Sequence, residues 1–411
     1  MKQQTIRIIA CFCLISLLLT GCGKQETGPG AMGSEVWKEM PKLTYGVLES
    51  ESLEVLSWNN GRLEATSRNR MAETENGYYL VNAPYIYYAD KKDLDNWFPV
   101  CNKPDCHHDS KDEQNRECNA FLDASFIVIN NNRLFYDTDS RQYPHLNVYK
   151  DSGLFLMSMA ADGTDKQVAY TLEEAAFSGE GMYSSFLTSK NWVYYADYMG
   201  KDGKMIRNLY RVTNKGVEVF PARTDILEND VGYISYFPYG DEAYYCNTLG
   251  NSEYGLFRFA DGELVETECA GLELDGAYLS GNTLRIFRPN DGYYDVNLTT
   301  REEVFLAPAQ LKNSSASIIL PNCMIETTLF DRSLYQDKKR EMKLFDGETW
   351  RTVELPEELA ESVNAYKTAF PTFSITSDGV FLYCSKDGIK QLYRIPLTTG
   401  ELKAEYCCEI G

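Results

Sequence analysis

The densest group of metal-binding side-chain types in this sequence lies in one short segment that begins at Cys101. It holds three cysteines, Cys101, Cys106 and Cys118, and two adjacent histidines, His107 and His108. Three thiolates and one imidazole form a complete tetrahedral ligand set for a structural zinc ion. The same cysteines could instead form one disulfide, with the histidine incidental. Both interpretations predict a structural role, because a closed Cys3His site leaves no coordination position for a substrate.

Motifs for other chemistries are missing from the sequence. The third and last histidine, His145, follows Pro144 in a polar segment, where we expect it to be solvated. Neither a Gly-x-Ser-x-Gly nucleophile motif nor a phosphate-binding P-loop motif occurs. The 60 acidic residues provide many chance pairs of carboxylates, so spacing alone nominates no glycosidase pair. The motifs therefore indicate no catalytic residue.

The elements that would position the cysteine segment are predicted to be β-strands. An alternating apolar and aromatic run leads through a polar turn to a Leu-aromatic-Arg step and a glycine turn, and this order recurs along the chain. Such alternation, with Asp-Gly or Asn-Gly turns, is typical of β-hairpins. The clearest copies pair residues 193–196 with 209–212, 243–246 with 256–259, and 381–384 with 392–395. Helical periodicity is confined to short stretches near 172–177 and 357–365, so the predicted class is all-β.

The spacing of the copies favours a propeller. About seven onsets, including weaker ones near Tyr87, Phe135, Ile286 and Phe330, follow one another at roughly 40–60 residues, which is typical of solenoids and propellers. One such unit cannot cover its own apolar faces, whereas blades stacked around an axis cover one another. We therefore expect a single β-propeller of seven blades, with six or eight still open, in which residues 43–68 complete the last blade and close the ring. The same alternation also permits two β-sandwiches.

The N-terminal residues predict export and lipidation. Lys2 and Arg7 precede an apolar run over residues 8–19, an order typical of a secretory signal and too short for a spanning helix. The run ends in Leu-Thr-Gly-Cys at 19–22, which resembles the lipobox of bacterial lipoproteins. That resemblance implies that Cys22 is diacylated and becomes residue one of the mature chain. The protein is then tied by lipid to the cell membrane, on its extracytoplasmic face.

Three segments make up the predicted domain organisation. Residues 1–21 are the signal peptide, and residues 22–40 are a lipidated tether whose glycines make it flexible. Residues 41–411 form the propeller domain, with the Cys/His loop at 101–121.

Cysteine usage fits an exported chain. Of the 12 cysteines, Cys11 and Cys13 leave with the signal and Cys22 is the lipid site, so nine remain. Because nine is odd, at least one stays outside any set of disulfides. We expect Cys246 and Cys384, which follow aromatic strand patterns, to be buried core thiols.

The charge of the chain excludes some partners. The formal net charge is −20, so the surface lacks the basic footprint of a nucleic-acid-binding protein. An acidic surface also disfavours docking on anionic lipid headgroups, so membrane attachment should rest on the acyl chains.

The repeated strands and the cysteine segment carry a family resemblance. With its Leu-Tyr-Arg steps at 209–211 and 392–394 and its cysteine segment, the chain resembles the extracytoplasmic propeller lipoproteins of Clostridia-type gut bacteria and, more distantly, TolB-type propellers. Those lipoproteins carry a Cys-x4-Cys-x-His…Cys segment after their first aromatic strands. The resemblance implies a metal set of Cys101, Cys106, His108 and Cys118. It also implies a fold and a location, but no activity.

These observations together favour a non-catalytic binding or scaffolding propeller. Its ligand would be a protein, a peptide or a glycan, since the 29 tyrosines suit surfaces that bind sugars and peptides. The alternative is an exported carbohydrate-active hydrolase or lyase on the same scaffold. A weaker third hypothesis gives the cysteine cluster a redox or metal-sensing role, which requires an exposed thiol of low pKa.

Overall fold

The structure is a computed structural model, and it describes most of the chain from residue 70 onwards. For the strands between 183 and 280 the description covers the backbone and not the side chains. The described residues are 70–82, 84–106, 108, 118–122, 124, 127–130, 132–139, 154–171, 183–188, 193–201, 204–213, 216–221, 234–239, 242–248, 254–260, 263–266, 276–280, 283–288, 291–297, 299–311, 316–319, 323–329, 340–364, 372–376, 378–386, 389–397 and 402–410.

Within these residues the strands form seven four-stranded antiparallel sheets, each built from four consecutive strands. The first sheet contains β1 (Met71–Glu73), β2 (Gly77–Asn82), β3 (Tyr85–Asp90) and β4 (Phe98–Pro99). The second contains β5 (Val128–Asn130), β6 (Arg133–Asp139), β7 (Leu154–Ala160) and β8 (Gln167–Thr171). The third contains β9 (Tyr183–Thr188), β10 (Val193–Lys201), β11 (Lys204–Thr213) and β12 (Gly216–Pro221).

The remaining four sheets repeat this order. The fourth contains β13 (Ile234–Tyr239), β14 (Glu242–Thr248), β15 (Tyr254–Ala260) and β16 (Glu263–Glu266). The fifth contains β17 (Gly276–Ser280), β18 (Thr283–Arg288), β19 (Gly292–Asn297) and β20 (Glu303–Pro308). The sixth contains β21 (Ala316–Ile319), β22 (Met324–Thr327), β23 (Met342–Phe345) and β24 (Trp350–Thr352). The seventh contains β25 (Thr372–Ile375), β26 (Gly379–Lys386), β27 (Ile389–Pro396) and β28 (Glu405–Ile410), and one helix, α1 (Glu357–Asn364), precedes it.

The recurring sequence pattern corresponds to the second and third strands of a sheet. The aromatic run at 193–196 lies on β10, and its Leu-Tyr-Arg partner at 209–211 lies on β11, where Tyr195 faces Tyr210 across the ladder. The copies at 243–246 and 381–384 lie in the same way on β14 and β26. Alternating apolar positions favour these strands because one sheet face can then pack on a neighbouring sheet.

The hairpin between β23 and β24 shows how a short polar turn forms in this fold. The carboxylate of Asp346 accepts the backbone N–H groups of Glu348 at 3.1 Å and Thr349 at 2.9 Å. Gly347 adopts a φ of 101°, a left-handed conformation that favours glycine. The Asp-Gly pair therefore acts as a simple hairpin turn.

Neighbouring sheets pack against one another. Their first strands contact in sequence, since β1 contacts β5, β5 contacts β9, β9 contacts β13, and β17 contacts β21. Buried side chains join the fifth sheet to the sixth and the sixth to the seventh. A larger apolar core joins the first, second and seventh sheets, and within it the rings of Tyr78 and Phe381 lie 4.9 Å apart.

The predicted all-β class is confirmed, and the short helix predicted at 357–365 is α1. The last sheet takes its four strands from residues 372–410, while the segment predicted to close the ring, 43–68, lies outside the described residues. The same is true of the signal peptide, the tether and the possible helix at 172–177. Among the helices that the structure describes, none has the length and apolar character needed to cross a membrane.

Candidate functional site

The Cys/His segment begins at the outer edge of the first sheet. After β4, the N–H of Val100 donates to the carbonyl of Ile86 at 2.9 Å, which extends the strand pairing by one residue. The N–H of Ile86 in turn donates to the carbonyl of Ala120 at 2.9 Å. One residue of β3 thus holds both arms of the segment, since Cys101 directly follows Val100 and Cys118 lies two residues before Ala120.

Two tight turns present the sulfur atoms. The N–H of Cys106 donates to the carbonyl of Lys103 at 3.3 Å, and the N–H of Phe121 donates to the carbonyl of Cys118 at 3.2 Å. Both are three-residue spacings typical of β-turns. A cysteine therefore ends the first turn and begins the second, which brings both thiols towards Cys101.

The structure brings the predicted metal-ligand set together. One ligand atom from each of Cys101, Cys106, His108 and Cys118 lies within 4.8 Å of the other three. Around a tetrahedral zinc ion with bonds of about 2.3 Å to sulfur, the sulfur atoms would lie about 3.8 Å apart. A contraction of about 1 Å would therefore convert the cluster into a coordination shell. Cys101 and Cys118 are buried, and Cys106 and His108 are half-buried.

The described cysteines are free thiols, so the disulfide alternative is not formed in this structure. Hydrogen bonding among the thiols separates their acidities. The pKa of Cys101 falls to about 3 because its sulfur accepts hydrogen bonds, first from Cys118 and then from His108, which outweigh the effect of burial. The pKa of Cys118 is raised, chiefly because it donates to Cys101, and the pKa of Cys106 is raised chiefly by burial. The cluster thus favours one thiolate and two protonated thiols, whose protons a metal ion would displace.

Backbone amide groups also point at the sulfur atoms. The N–H groups of Lys103 and Asn119 hydrogen-bond to the sulfur of Cys101, and the N–H of Ala120 hydrogen-bonds to the sulfur of Cys118. Such outer contacts orient thiolate ligands and disperse their negative charge. The local backbone is therefore arranged for anionic sulfur.

His108 supplies the fourth ligand type. Its ring lies edge-on to the ring of Tyr85, with the ring centroids 6.0 Å apart, so the imidazole packs against β3 of the first sheet. Its Nε2 atom is buried and has no hydrogen-bond partner among the described residues. Buried polar atoms normally have a hydrogen-bond partner, so an unpaired nitrogen on a residue of the cluster fits a metal-ligand role for His108.

Two residues of the second sheet complete the surroundings, and the sequence analysis did not identify either. The Nζ atom of Lys166 donates to the carbonyl of Phe121 at 2.8 Å and to that of Cys118 at 3.3 Å. Desolvation lowers the pKa of Lys166 to about 8, although the nearby sulfur atoms of Cys118 and Cys101 favour its charged form when they are deprotonated. Gly163, in the turn between β7 and β8, has a φ of 81°, and a Cβ atom there would lie 2.5 Å from the carbonyl oxygen of Val100.

A sequence signal existed for one of the two. Asp162-Gly163-Thr164 is a turn-forming tripeptide that indicates the left-handed conformation of Gly163. No local pattern indicates that this turn packs on a cysteine segment more than 40 residues earlier, because that contact depends on how the second sheet packs against the first.

The other predicted cysteines separate into two groups. Cys384 is 2 % exposed, which confirms it as a core thiol, and burial raises its pKa to about 12. Cys323, Cys407 and Cys408 are also buried, with pKa values that burial raises to about 12. The side chain of Cys246 lies outside the described part of the chain, as do Cys22, Cys269, His107 and His145.

Comparisons with known proteins identify no family. No protein-family profile and no curated protein matches this sequence. Solved structures that resemble it include an acylaminoacyl peptidase in complex with Z-Gly-Gly-Phe-chloromethyl ketone (10 % identity, 83 % of this chain and 54 % of that chain, TM-score 0.48). They also include a puromycin hydrolase (9 % identity, 88 % and 57 %, TM-score 0.49) and a putative 6-phosphogluconolactonase from Bacteroides uniformis (14 % identity, 88 % and 96 %, TM-score 0.45). The chain spans little more than half the length of the first two. At this level of similarity the likenesses assign no activity to this chain.

Proposed function

We propose that this protein is a lipid-anchored, extracytoplasmic β-propeller that acts as a binding or scaffolding module, and that its Cys/His cluster holds a structural zinc ion. The observation that carries the proposal is the complete Cys3His set within 4.8 Å. Four protein ligands fill a tetrahedral shell and leave no position for substrate or water, so such a site stiffens the fold and performs no chemistry. Cys101, Cys106, His108 and Cys118 would hold the ion.

A rigid platform is what a binding module needs. The cluster joins two arms of a loop that the first sheet holds through Ile86, and it lies against the turn of the second sheet at Gly163. The ligand of this binding module would be a protein, a peptide or a glycan. The loops at one end of the sheets would form the surface that binds it.

The closed seven-bladed ring is part of the proposal. It is supported by seven sheets of consecutive strands, by contacts between successive first strands, and by the packing of the seventh sheet on the first. Two β-sandwiches would instead pair larger sheets face to face. An experimental structure with an open gap between the first and seventh sheets would contradict the ring. The role of residues 43–68 in closing it stays a prediction.

Metal analysis of the full-length chain, purified in detergent, tests the zinc centre. We expect about one zinc per chain, which Cys106→Ser abolishes and Cys384→Ser leaves intact. Cys384 is the matched control because it is a buried free thiol outside the cluster.

Alkylation tests the disulfide alternative. In the unfolded chain without a reductant, alkylation should modify Cys101, Cys106 and Cys118. A metal-free protein in which two of these three resist alkylation would establish the disulfide instead.

The lipid anchor and the ligand need separate tests. Cells fed an alkyne-tagged fatty acid should label the wild-type chain and not Cys22→Ser, and equal labelling of both would contradict anchoring at Cys22.

For the ligand, glycan and peptide arrays should give saturable binding with no product. Shortening of a bound glycan would replace the scaffold proposal with a carbohydrate-active hydrolase or lyase.

A further inference from the structure

Lys166 belongs to the second sheet but makes its polar contacts with the cysteine segment of the first. It lies between the β7–β8 turn and β8, and its Nζ atom donates to the carbonyls of Phe121 and Cys118. The residue as a whole is half-buried, while its surroundings desolvate its ammonium group. A desolvated ammonium group is unfavourable unless a negative charge accompanies it.

Carboxylates do not supply that charge. Among the described residues Lys166 forms no ion pair with Asp or Glu, and the groups that favour its ammonium form are Cys118 and Cys101, once their thiols are deprotonated. The other charge that acts on it is Lys103, which opposes it. The natural counter-charge of Lys166 is therefore the cysteine cluster itself.

The charge of a loaded site matches this arrangement. Three thiolates carry three negative charges, a zinc ion carries two positive charges and a neutral imidazole adds none, so the complex carries one net negative charge. One ammonium group neutralises it. Both carbonyl oxygens that Lys166 contacts belong to the second cysteine turn, which starts at a ligand, so the ammonium group is held next to the complex by direct hydrogen bonds.

We infer that Lys166 is the charge-balancing residue of the metal centre, and that through it the loaded centre fastens the second sheet to the first. This inference rests on the proposed zinc centre and adds a positioning residue to it. Gly163 supports the same contact, because its missing Cβ lets the turn that precedes Lys166 approach the carbonyl of Val100 and the backbone of Asn119. The role of Lys166 follows from its charge and not from packing alone.

Three substitutions separate charge from hydrogen bonding. Lys166→Met keeps an unbranched apolar side chain and removes both the charge and the donor, Lys166→Gln keeps an N–H donor without charge, and Lys166→Arg keeps the charge. Lys403→Met is the matched control, because Lys403 is an exposed lysine that pairs with Glu354 away from the cluster. Zinc affinity of the full-length chain would be measured by competition with a chelator of known affinity at fixed pH and ionic strength.

We expect Lys166→Met and Lys166→Gln to weaken zinc binding by roughly 10- to 100-fold, as substitutions of residues just outside a metal's ligands typically do. Lys166→Arg should stay within a few-fold of wild type, and Lys403→Met should not change. In the cobalt-substituted protein, loss of the positive charge should also move the thiolate-to-cobalt charge-transfer band to longer wavelength, which a purely structural role would not do.

The outcomes distinguish the inference from the proposal on which it rests. If wild type binds one zinc and Lys166→Met or Lys166→Gln binds it equally tightly, the inference is wrong and the zinc centre stands. If Lys166→Gln binds zinc as tightly as wild type while Lys166→Met does not, the role of Lys166 is hydrogen bonding and not charge balance. If Lys166→Met does not fold, Lys166→Gln and the cobalt spectrum decide. If wild type binds no metal at all, the proposed function itself fails.

Discussion

The hydroxyl group of Tyr78 donates a 2.5 Å hydrogen bond to the carboxylate of Asp378, which lies 300 residues further along the chain. Tyr78 is in β2 of the first sheet, and Asp378 is in the turn that precedes β26 of the seventh. Arg394 and Thr376 also contact the Asp378 carboxylate, at 3.1 Å and 3.0 Å. The first and seventh sheets are thus joined by a partly buried polar network.

A second contact joins the same sheets at the opposite end of β2. The hydroxyl of Tyr383 donates to the side-chain oxygen of Asn82 at 2.6 Å, and the amide of Asn82 donates to the carbonyl of Ile410 at 3.4 Å. The two sheets are therefore held at both ends of one strand, with the Tyr78–Phe381 ring contact near one of those ends.

We expect Tyr78→Phe to lower the free energy of unfolding by about 1.5–3 kcal/mol, because the lost hydrogen bond has a charged acceptor and a buried donor. Chemical denaturation monitored by fluorescence would measure the change. Tyr294→Phe is the control, since its hydroxyl donates to Asp291 at 2.7 Å within one sheet and at the surface. Equal losses from the two variants would mean that the contact between the first and last sheets adds nothing.

Two glycines with positive φ allow a direct test of the close approach at the metal centre. Gly163→Ala and Gly347→Ala share the strain of a left-handed alanine, but a Cβ at 163 meets the carbonyl of Val100 whereas a Cβ at 347 meets nothing within 4 Å. We expect Gly163→Ala to destabilise the protein by about 1–3 kcal/mol more than Gly347→Ala. Gly163→Ala should also weaken zinc binding, because the backbone of Asn119 lies beside it. Identical thermal midpoints and zinc affinities for the two variants would contradict the close approach.

Glu326 predicts a pH dependence of stability. Its buried carboxylate accepts the N–H groups of Gln310 and Leu311, the latter at 2.6 Å, and burial raises its pKa above the ordinary value of 4.5 despite these bonds. The folded state then holds its proton to higher pH than the unfolded state does. The contribution of Glu326 to stability is therefore greatest below about pH 4.5 and falls as the pH rises through the pKa of the folded state.

Denaturation of wild type and Glu326→Gln across pH 4 to 8 would measure this effect. We expect the stability of wild type, relative to the variant, to decrease over this range by about 1.4 kcal/mol for each unit of pKa shift. A relative stability that increased with pH would show that the hydrogen bonds outweigh burial and that the pKa is lowered.

Metal removal should weaken the fold around the first two sheets. Because an ion that binds only the folded state stabilises it by RT ln(1 + [L]/Kd), where [L] is the free ion concentration, a strong chelator should lower the unfolding midpoint of wild type. Cys106→Ser, which lacks one ligand, should not respond to the chelator. If the unfolding midpoint of wild type stays constant when zinc is removed, the metal centre has no structural role.

The cysteine segment was predictable as a cluster because its ligands are close in sequence. Cys101, Cys106 and His108 lie within eight consecutive residues, and a turn suffices to bring them together. Their joint position next to Cys118 needed the tertiary structure, since it depends on the bonds of Ile86 to both arms. Whether the thiols were paired could not be read from spacing, because a disulfide and a metal site demand the same proximity.

By itself, the sequence determined the all-β class, the second and third strands of three of the sheets, the short helix and the buried thiol at Cys384, because alternation and turn residues act over a few neighbouring positions. Tertiary structure alone decided the contacts of Tyr78 with Asp378 and of Lys166 with the cysteine segment. Each joins residues of different sheets, and such pairs meet only after the sheets have packed their apolar faces together. The local sequence pattern does not specify which side chains of different sheets will meet. The burial of the apolar sheet faces determines those contacts.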